Sequence, residues 1–575
     1  MFSQFAFRKA MRMILIQTIM ASLLSFAPTT TQISFAQDGE QLEESEPVEL
    51  APVTGKALEV PQAQMSAKAA SRLLEEQYRL RLETAQPYNV DTSAEALLAP
   101  ESWQAVDESS VSEYAEARFH GVPSNFVLGS NVLNTQADNT GNSTLAEPAA
   151  ANEGPNIFYA GNFGHNEFST DGGASWTNVT IPAGPSDAPS TCCDWDVVYD
   201  QARGVTFYSG LYLNAARTNG VVRIFVRRDM SLATNCFYNI DPAGTSNNTV
   251  PDYPHINVSN DFLYLGTNNT GGAAGGRAQM YRFPLDQMAD CVTAPGNVFT
   301  YVWSSGVGQR IFVPIEGARE TMFWFVHEDS NTLRIYRWPE STTTVTSVLR
   351  DIGTSSFGVD EDCSGGSDNA DWWDSLAASI LGFNNRGALG NGRLHLYWNV
   401  ASDASHTQGH IHGAIFAINA SGAEHVVGDA LAQPVIFNNS FCYGFPNVSA
   451  NERGDIGMTL AAGGNLGSSC TSLGCNAAQP VVGVDDDFTT GLGVFGASGA
   501  NFNIYATGTH NRFDQRFGDY FVIHPHEPCD LWFGATGYAL NGGRAASNVN
   551  ARWIEFGRQR DRLCYDRWDD EDPVP

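Results

Sequence analysis

Beyond about residue 119 the apolar residues fall in short runs broken by Gly, Asn, Asp and Pro, with no helical periodicity. A loose unit recurs there: a polar or acidic opening, a short apolar strand, a turn, and a second apolar strand ending in small or polar residues. The clearest copy is Asp252-Tyr253-Pro254-His255-Ile256-Asn257-Val258, the turn Ser259-Asn260-Asp261, then Phe262-Leu263-Tyr264-Leu265-Gly266. A weaker copy starts at Phe445-Pro446-Asn447. Openings fall at Glu147, Asp194, Asp252, Ile311, Asp374, Phe445 and Asp519, about 50 to 75 residues apart. That is the scale of a four-stranded propeller blade with some long loops. The pattern predicts an all-β fold, a β-propeller of about seven blades, with six the alternative because the unit at Ile311 matches poorly.

A ring explains why the units come in series: a small sheet can bury both faces only against neighbours. The first strand of each blade then lines a central channel, and the opening residues gather at one mouth. Residues ahead of the repeats are of another kind. Met1–Ala36 has a cationic start (Arg8, Lys9, Arg12), an apolar run from Met13 to Phe26 and a small-residue site at Ser34-Phe35-Ala36, as in a secretory signal. Gln37–Glu49 is polar and acidic, and its composition predicts disorder. Met65, Ala69, Leu73, Leu74, Tyr78 and Leu82 recur at helical spacing and predict one amphipathic helix over Gln64–Thr84. The expected organisation is a signal over 1–36, an acidic linker and helix over 37–117, a propeller over 118–560 and an acidic tail over 561–575.

The formal net charge is −31, and lysine occurs only at Lys9, Lys56 and Lys68. Nucleic-acid binding needs a basic face, so that class is excluded. No later stretch is long and apolar enough to span a membrane, and the expected location is secreted or periplasmic. Ten cysteines suit an oxidising compartment. Cys470 and Cys475 are close enough to staple one loop, Cys529 and Cys564 could join the last strands to the tail, and Cys192-Cys193 is a vicinal pair.

The stretch Ser169-Thr170-Asp171-Gly172-Gly173-Ala174-Ser175-Trp176 has the form of a tight hairpin turn. Its Ser-x-Asp-x-Gly-x-Ser-Trp pattern resembles the Asp-box (BNR repeat) of secreted sialidase-like β-propellers, many of which have no assigned activity. Further segments similar to that family are Glu147-Pro148-Ala149-Ala150, Asp252-Tyr253-Pro254-His255, Leu333–Pro339 and Arg516-Phe517-Gly518-Asp519-Tyr520. The resemblance runs from about Leu145 to Gly557. It implies a propeller with the Asp-box on an outer turn, away from the active mouth. The first carboxylate-binding arginine of sialidases stands in an Arg-Ile-Pro motif before the first blade. Here Arg118 is followed by Phe119-His120, and Arg310-Ile311-Phe312 lies mid-chain without the proline. Sialidase activity itself is therefore not expected.

Three groups could carry chemistry. Asp252, Tyr253, His255, Arg516, Asp519 and Tyr520 open predicted inner strands. His and Tyr pass protons near neutral pH and Arg neutralises a carboxylate, as a polysaccharide lyase or glycoside hydrolase requires. The alternative is that they are buried hydrogen-bonders joining blades. Asp360, Asp362, Ser364, Asp368 and Asp371 alternate partly as calcium ligands do, with Gly365 for the turn, although Asp371 stands where a Glu is usual. Trp372 and Trp373 beside them either stack on sugar rings or fill a blade interface. His406, His410 and His412 form the third group, because His-x-His on a strand puts both rings on one face; His524-Pro525-His526 has the same spacing. The expected function is glycan-directed, with a carbohydrate partner: either an enzyme at the channel mouth or a non-catalytic glycan- or protein-binding propeller at the cell surface.

Overall fold

The computed structural model describes residues 41–44, 46–50, 53–54, 126–134 and 147–562. Within the last span it leaves out 229–234, 243–248, 271–276, 303–310, 354–361, 369, 374–383, 420–424, 440, 465–476, 487–494, 496–501, 512–516, 518–519 and 545–547. The described strands form seven antiparallel sheets, and the protein is a seven-bladed β-propeller. The first strands of blades I, II, III, V, VI and VII are Ala149–Glu153, Asp196–Asp200, Val250–Val258, Arg386–Gly390, Cys442–Ala450 and Ile523–Pro525. These pack beside their neighbours around the axis, Ala149–Glu153 on Asp196–Asp200 and Arg386–Gly390 on Cys442–Ala450, for example. Both faces of a blade are covered, so whole strands such as Asp196–Asp200 and Ile456–Gly463 are buried. Aromatic pairs fill the seams: Phe158 of blade I meets Tyr208 of blade II at 4.5 Å, and Phe325 of blade IV meets Trp398 of blade V at 6.1 Å.

Blade IV is the irregular one. Its regular strands are Thr321–His327, Thr332–Pro339 and Thr344–Asp351. The innermost position is taken by the extended segment 311–316, whose Ile315 N donates to Phe323 O (3.1 Å) while Glu316 bridges to Ala388 of blade V. Pro314 cannot donate to a ladder, so the segment pairs only in part. This is why the unit at Ile311 matches the repeat poorly and yet counts as a blade.

The strand Phe126–Leu133 pairs with Val549–Arg558 and supplies the outer edge of blade VII, closing the ring with chain from before blade I. The acidic stretch Gln37–Glu49, expected to be disordered, instead supplies two short strands on outer edges, Gln41–Glu44 on blade IV and Glu46–Leu50 on blade III, and Val53–Thr54 just beyond it pairs with blade II. Backbone pairing to an open edge needs no apolar side chains, which is why composition missed it. The predicted helix over Gln64–Thr84 and the signal stretch lie outside the described residues. Among the described residues no helix is long and apolar enough to cross a membrane.

The turn over residues 169–176 joins the third and fourth strands of blade I. Asp171 Oδ1 accepts from Ser175 N (2.8 Å) and Ser169 Oγ (2.8 Å), and its Oδ2 accepts from Ser175 Oγ (2.6 Å). Gly172 and Gly173 take φ of 66° and 88°, where only glycine is at ease. Disulfides join Cys192 to Cys193, Cys236 to Cys291 and Cys363 to Cys442. Cys529 is also disulfide-bonded; Cys470, Cys475 and Cys564 lie outside the described residues.

Candidate functional site

The inner strands begin with a shared backbone device. Glu147, Asp194, Tyr253, Asn384 and Phe445 all take positive φ, between 55° and 63°, at the openings of blades I, II, III, V and VI. A left-handed residue there turns the chain from the outer edge of one blade into the inner strand of the next. It costs strain, and hydrogen bonds around the mouth hold it. Asn162 Nδ2 donates to Glu147 Oε2 (2.6 Å), Asp194 N to Asn162 Oδ1 (3.0 Å) and Tyr253 N to Asp194 Oδ2 (3.2 Å), linking blades I to III. Tyr253 OH donates to Asn384 Oδ1 (3.0 Å) and Asn384 Nδ2 to Pro446 O (3.1 Å), linking blades III, V and VI. Asn447 Nδ2 donates to Phe521 O of the segment leading into blade VII. Blade V opens at Asn384, not at Asp374, which lies outside the described residues.

Two residues after the turn comes a side chain aimed down the axis: Asp196 in blade II, His255 in blade III, Arg386 in blade V and Asn447 in blade VI. With Glu316 and Val522 among others, they line a cavity of about 20 Å³, room for about one water. His255 Nε2 accepts from Arg386 Nη2 (3.0 Å), so the ring donates from Nδ1 to Asp196 Oδ2 (3.2 Å). Asp196 Oδ2 also accepts from Ile256 N (2.9 Å) and Oδ1 from Val197 N (2.9 Å). Arg386 Nη2 reaches Tyr253 OH as well (3.3 Å). Burial, then the Arg386 charge, pushes His255 down to about 4 despite Asp196. Burial alone would raise Asp196, but the His255 and Ile256 hydrogen bonds take its carboxyl below the usual value. His524 behaves oppositely: it donates to Val197 O (2.7 Å) and faces Glu316 Oε2 (3.3 Å), and although burial opposes the charge, Glu316 leads the causes that raise it.

Of the catalytic candidates, Tyr253, His255 and Tyr520 come together. The His255 ring stacks on Tyr520 at 4.4 Å and Tyr253 meets Tyr520 edge-on at 4.9 Å. Asp252 is half-buried and does not line the cavity; Arg516 and Asp519 lie outside the described residues. Asp196, Arg386, Asn384 and Glu316 were missed, and His524 was singled out only for its His-x-His spacing, not for the axis. Laying the repeats on their left-handed openings would have found Asp196, which stands to Asp194 as His255 stands to Tyr253.

The mouth above this cluster is covered. Trp372 and Trp373 are 0% and 1% exposed, and Phe517 and Tyr520 are fully buried in the same apolar cluster. Trp372 packs on Phe445 and Phe517 (both 5.9 Å), and a Cβ on Gly444 would lie 2.6 Å from the Trp373 ring. The expectation that Trp372 and Trp373 bind substrate is corrected accordingly: neither ring offers a face to a sugar, and both fill the interface. Their segment belongs to the connection from blade IV to blade V. The Cys363–Cys442 disulfide pins it to blade VI, and Arg544 of blade VII pairs with Asp368.

The same segment bears on the calcium expectation. Asp371 Oδ1 accepts from Cys363 N and Trp373 N (both 3.0 Å), Asp362 Oδ1 accepts from Ser364 N (3.1 Å), and Asp368 faces Arg544. Asp371 Oδ1, Asp362 Oδ1 and Asp368 Oδ2 thus answer protein donors. Among the described residues Asp368 Oδ1 is buried without one, and Asp362, Asp368 and Asp371 do not converge on one point. Ser364 and these three acids therefore do not fit a common calcium shell; Asp360 lies outside the described residues.

The histidine group is assembled where the acidic one is not. His410 and His412 lie on the third strand of blade V, His410–Asn419, and Asp403 and His406 in the loop leading into it. Their ligand atoms all fall within 4.8 Å of one another. Burial, then the charge of His410, pushes His412 down to about 3, and burial pushes His410 down to about 4.

No family model matches the chain, and no curated protein matches it. Solved structures similar to it are propellers. The GH93 α-L-arabinofuranosidase of Fusarium graminearum with arabinobiose is 8% identical, covers 75% of this chain and 98% of its own, and has a TM-score of 0.37. A neuraminidase-like protein of A/little yellow-shouldered bat is 8% identical over 56% of this chain and 92% of its own, with a TM-score of 0.30. The Cellvibrio cellulosa α-L-arabinanase complexed with arabinohexaose is 10% identical over 59% and 91%, with a TM-score of 0.27. At such scores the likeness carries no argument about this protein's chemistry.

Proposed function

We propose that this protein is an exported, glycan-directed propeller of the sialidase-like kind that binds carbohydrate without cleaving it. The observation that carries this reading is a contrast between two cavities. The axial one measures about 20 Å³, whereas a groove between blades III and IV measures about 1070 Å³. Sites for small organic ligands run to several hundred Å³, so a sugar ring fits the groove and not the axis. The groove lies among turns at the opposite end of the ring from the mouth. It offers Phe262 as an apolar edge, with Asp261, Gln287, Arg319 and Glu340 as polar groups. Acids outnumber bases there, which disfavours sialosides and uronates and favours neutral glycans.

A second reading keeps the enzyme. Tyr253 OH and His255 Nε2 both lie within 3.3 Å of Arg386 Nη2, the acid, base and carboxylate clamp that a lyase combines. It requires the aromatic cover to open. One experiment separates the two. Purified protein is titrated calorimetrically with neutral arabino-oligosaccharides, sialosides and uronic-acid polysaccharides, and each mixture is assayed for cleavage. The binding reading expects saturable heat with the neutral sugars, lost in an Asp261→Ala/Gln287→Ala variant, and no product. Cleavage abolished by His255→Asn would overturn it in favour of the enzyme.

A further inference from the structure

The loop 401–409 joins the second and third strands of blade V, Arg393–Val400 and His410–Asn419, so it lies at the mouth end of the ring. Asp403 Oδ1 accepts from Ser405 N (2.7 Å) and His406 N (2.8 Å), which folds the loop back on its acid and leaves Oδ2 facing the strand. His406 Nδ1 lies 3.1 and 3.2 Å from the two Asp403 oxygens. His410 and His412 alternate along the strand and share a face, with their Nε2 atoms 3.0 Å apart. His410 Nε2 is 3.8 Å from Asp403 Oδ2.

We infer that Asp403, His406, His410 and His412 form a binding site for a zinc-type divalent transition metal. Zinc sits roughly 2.0–2.1 Å from imidazole nitrogen and carboxylate oxygen. The edge of such a tetrahedron is therefore about 3.3 Å. Three of the six spacings, 3.0 to 3.8 Å, bracket that edge, and all four ligand atoms lie within 4.8 Å of one another, so small side-chain rotations draw them onto one ion. The outer partner is in place too. His410 Nδ1–H donates to Gln408 O (3.0 Å), which leaves Nε2 bare and fixes the ring plane, as the second partner of a metal-binding imidazole does. Three imidazoles and one carboxylate suit zinc, copper or nickel; an oxygen-seeking ion such as calcium or magnesium would refuse them. With four protein ligands the site is closed and structural: it ties the loop 401–409 to its strand.

The whole chain is stripped with a chelator, dialysed, and titrated with zinc alone by calorimetry in a buffer that does not bind metal. Cobalt is then added to a second portion. The expected result is one zinc per chain, a rise in melting temperature on loading, and the intense visible absorption of four-coordinate cobalt. His410→Gln and His412→Gln should each weaken binding by at least roughly 100-fold, the upper end of the cost of losing even an outer partner. Asp403→Asn, in the loop and half-exposed, serves as the variant least able to disturb folding. Binding that survives Asp403→Asn and both histidine changes overturns the site. So does a full chain that takes up neither metal, in which case the cluster is only a set of hydrogen-bonded rings.

Discussion

Acidification tests whether the axial cluster is a structural knot. His255 is enclosed by Asp196, Arg386, Tyr253 and Tyr520, with Glu316 and His524 along the same channel, and sits at about 4 against an ordinary value of 6.5. Between those values the unfolded chain binds a proton that the folded chain refuses, so stability is full above about 6.5 and falls as the pH drops. At pH 4.5 the loss from this one residue is about 2.5 kcal/mol, worked from the two values by linkage. His395, also pushed down by burial, to about 3, adds loss of the same sign. The informative quantity is therefore the difference between the parent and His255→Asn, whose amide can keep the donation to Asp196. Urea midpoints at pH 7, 5.5 and 4.5 give it. The variant should be less stable at pH 7, having lost the ring stacked on Tyr520, yet lose about 2.5 kcal/mol less than the parent on going to pH 4.5. Parallel pH profiles for the two proteins would refute the reasoning, since His255 would then titrate alike folded and unfolded.

Two further tests address the turn and the cover. Gly173→Ala should cost about 2–4 kcal/mol, because its Cβ would meet Val132 Cγ2 at 2.3 Å in a left-handed backbone; Gly172→Ala, left-handed but with open space around it, should cost only about 1–2 kcal/mol. Equal shifts in a denaturant titration would mean that the turn does not pack against blade VII. Replacing Cys363 and Cys442 together by serine removes a cross-link between residues 79 apart in sequence and should cost up to about 4 kcal/mol, with faster amide exchange across 363–373. Unchanged exchange there would show that packing of Trp372 and Trp373, without the cross-link, holds the cover.

The repeat of short strands was legible because blade geometry imposes it: five of the inner strands open on a left-handed reversal, and Glu147-Pro148, Tyr253-Pro254 and Phe445-Pro446 write that reversal in residues. The opening of blade V was not, because Asn384-Asn385 carries the same conformation with neither the proline of blades I, III and VI nor an acid such as Asp194 in blade II. The axial cluster was half legible for the same reason. Tyr253 and His255 sit in the plainest copy of the repeat, while Arg386 stands behind a misplaced opening and Glu316 in a segment whose proline breaks the pattern. Burial was the least legible property. Trp372 and Trp373 have the chemistry of a sugar platform, and only their packing on Phe445 and Phe517 turns them inward. The histidine cluster was visible as His-x-His, but Asp403 joins it through a loop whose curvature the sequence does not announce.

The edge strand Phe126–Leu133 meets Val549–Arg558 across about four hundred intervening residues. During synthesis the earlier partner is made first and must wait for almost the whole ring before its ladder can form. Until then blade VII lacks an outer rim and the circle stays ajar, with unpaired backbone at both ends of an otherwise finished molecule. The latch that closes the ring is thus, among the described ladders, the one with the longest wait between the making of its two strands, and the growing chain keeps open edges that a neighbour could pair with until it is nearly complete.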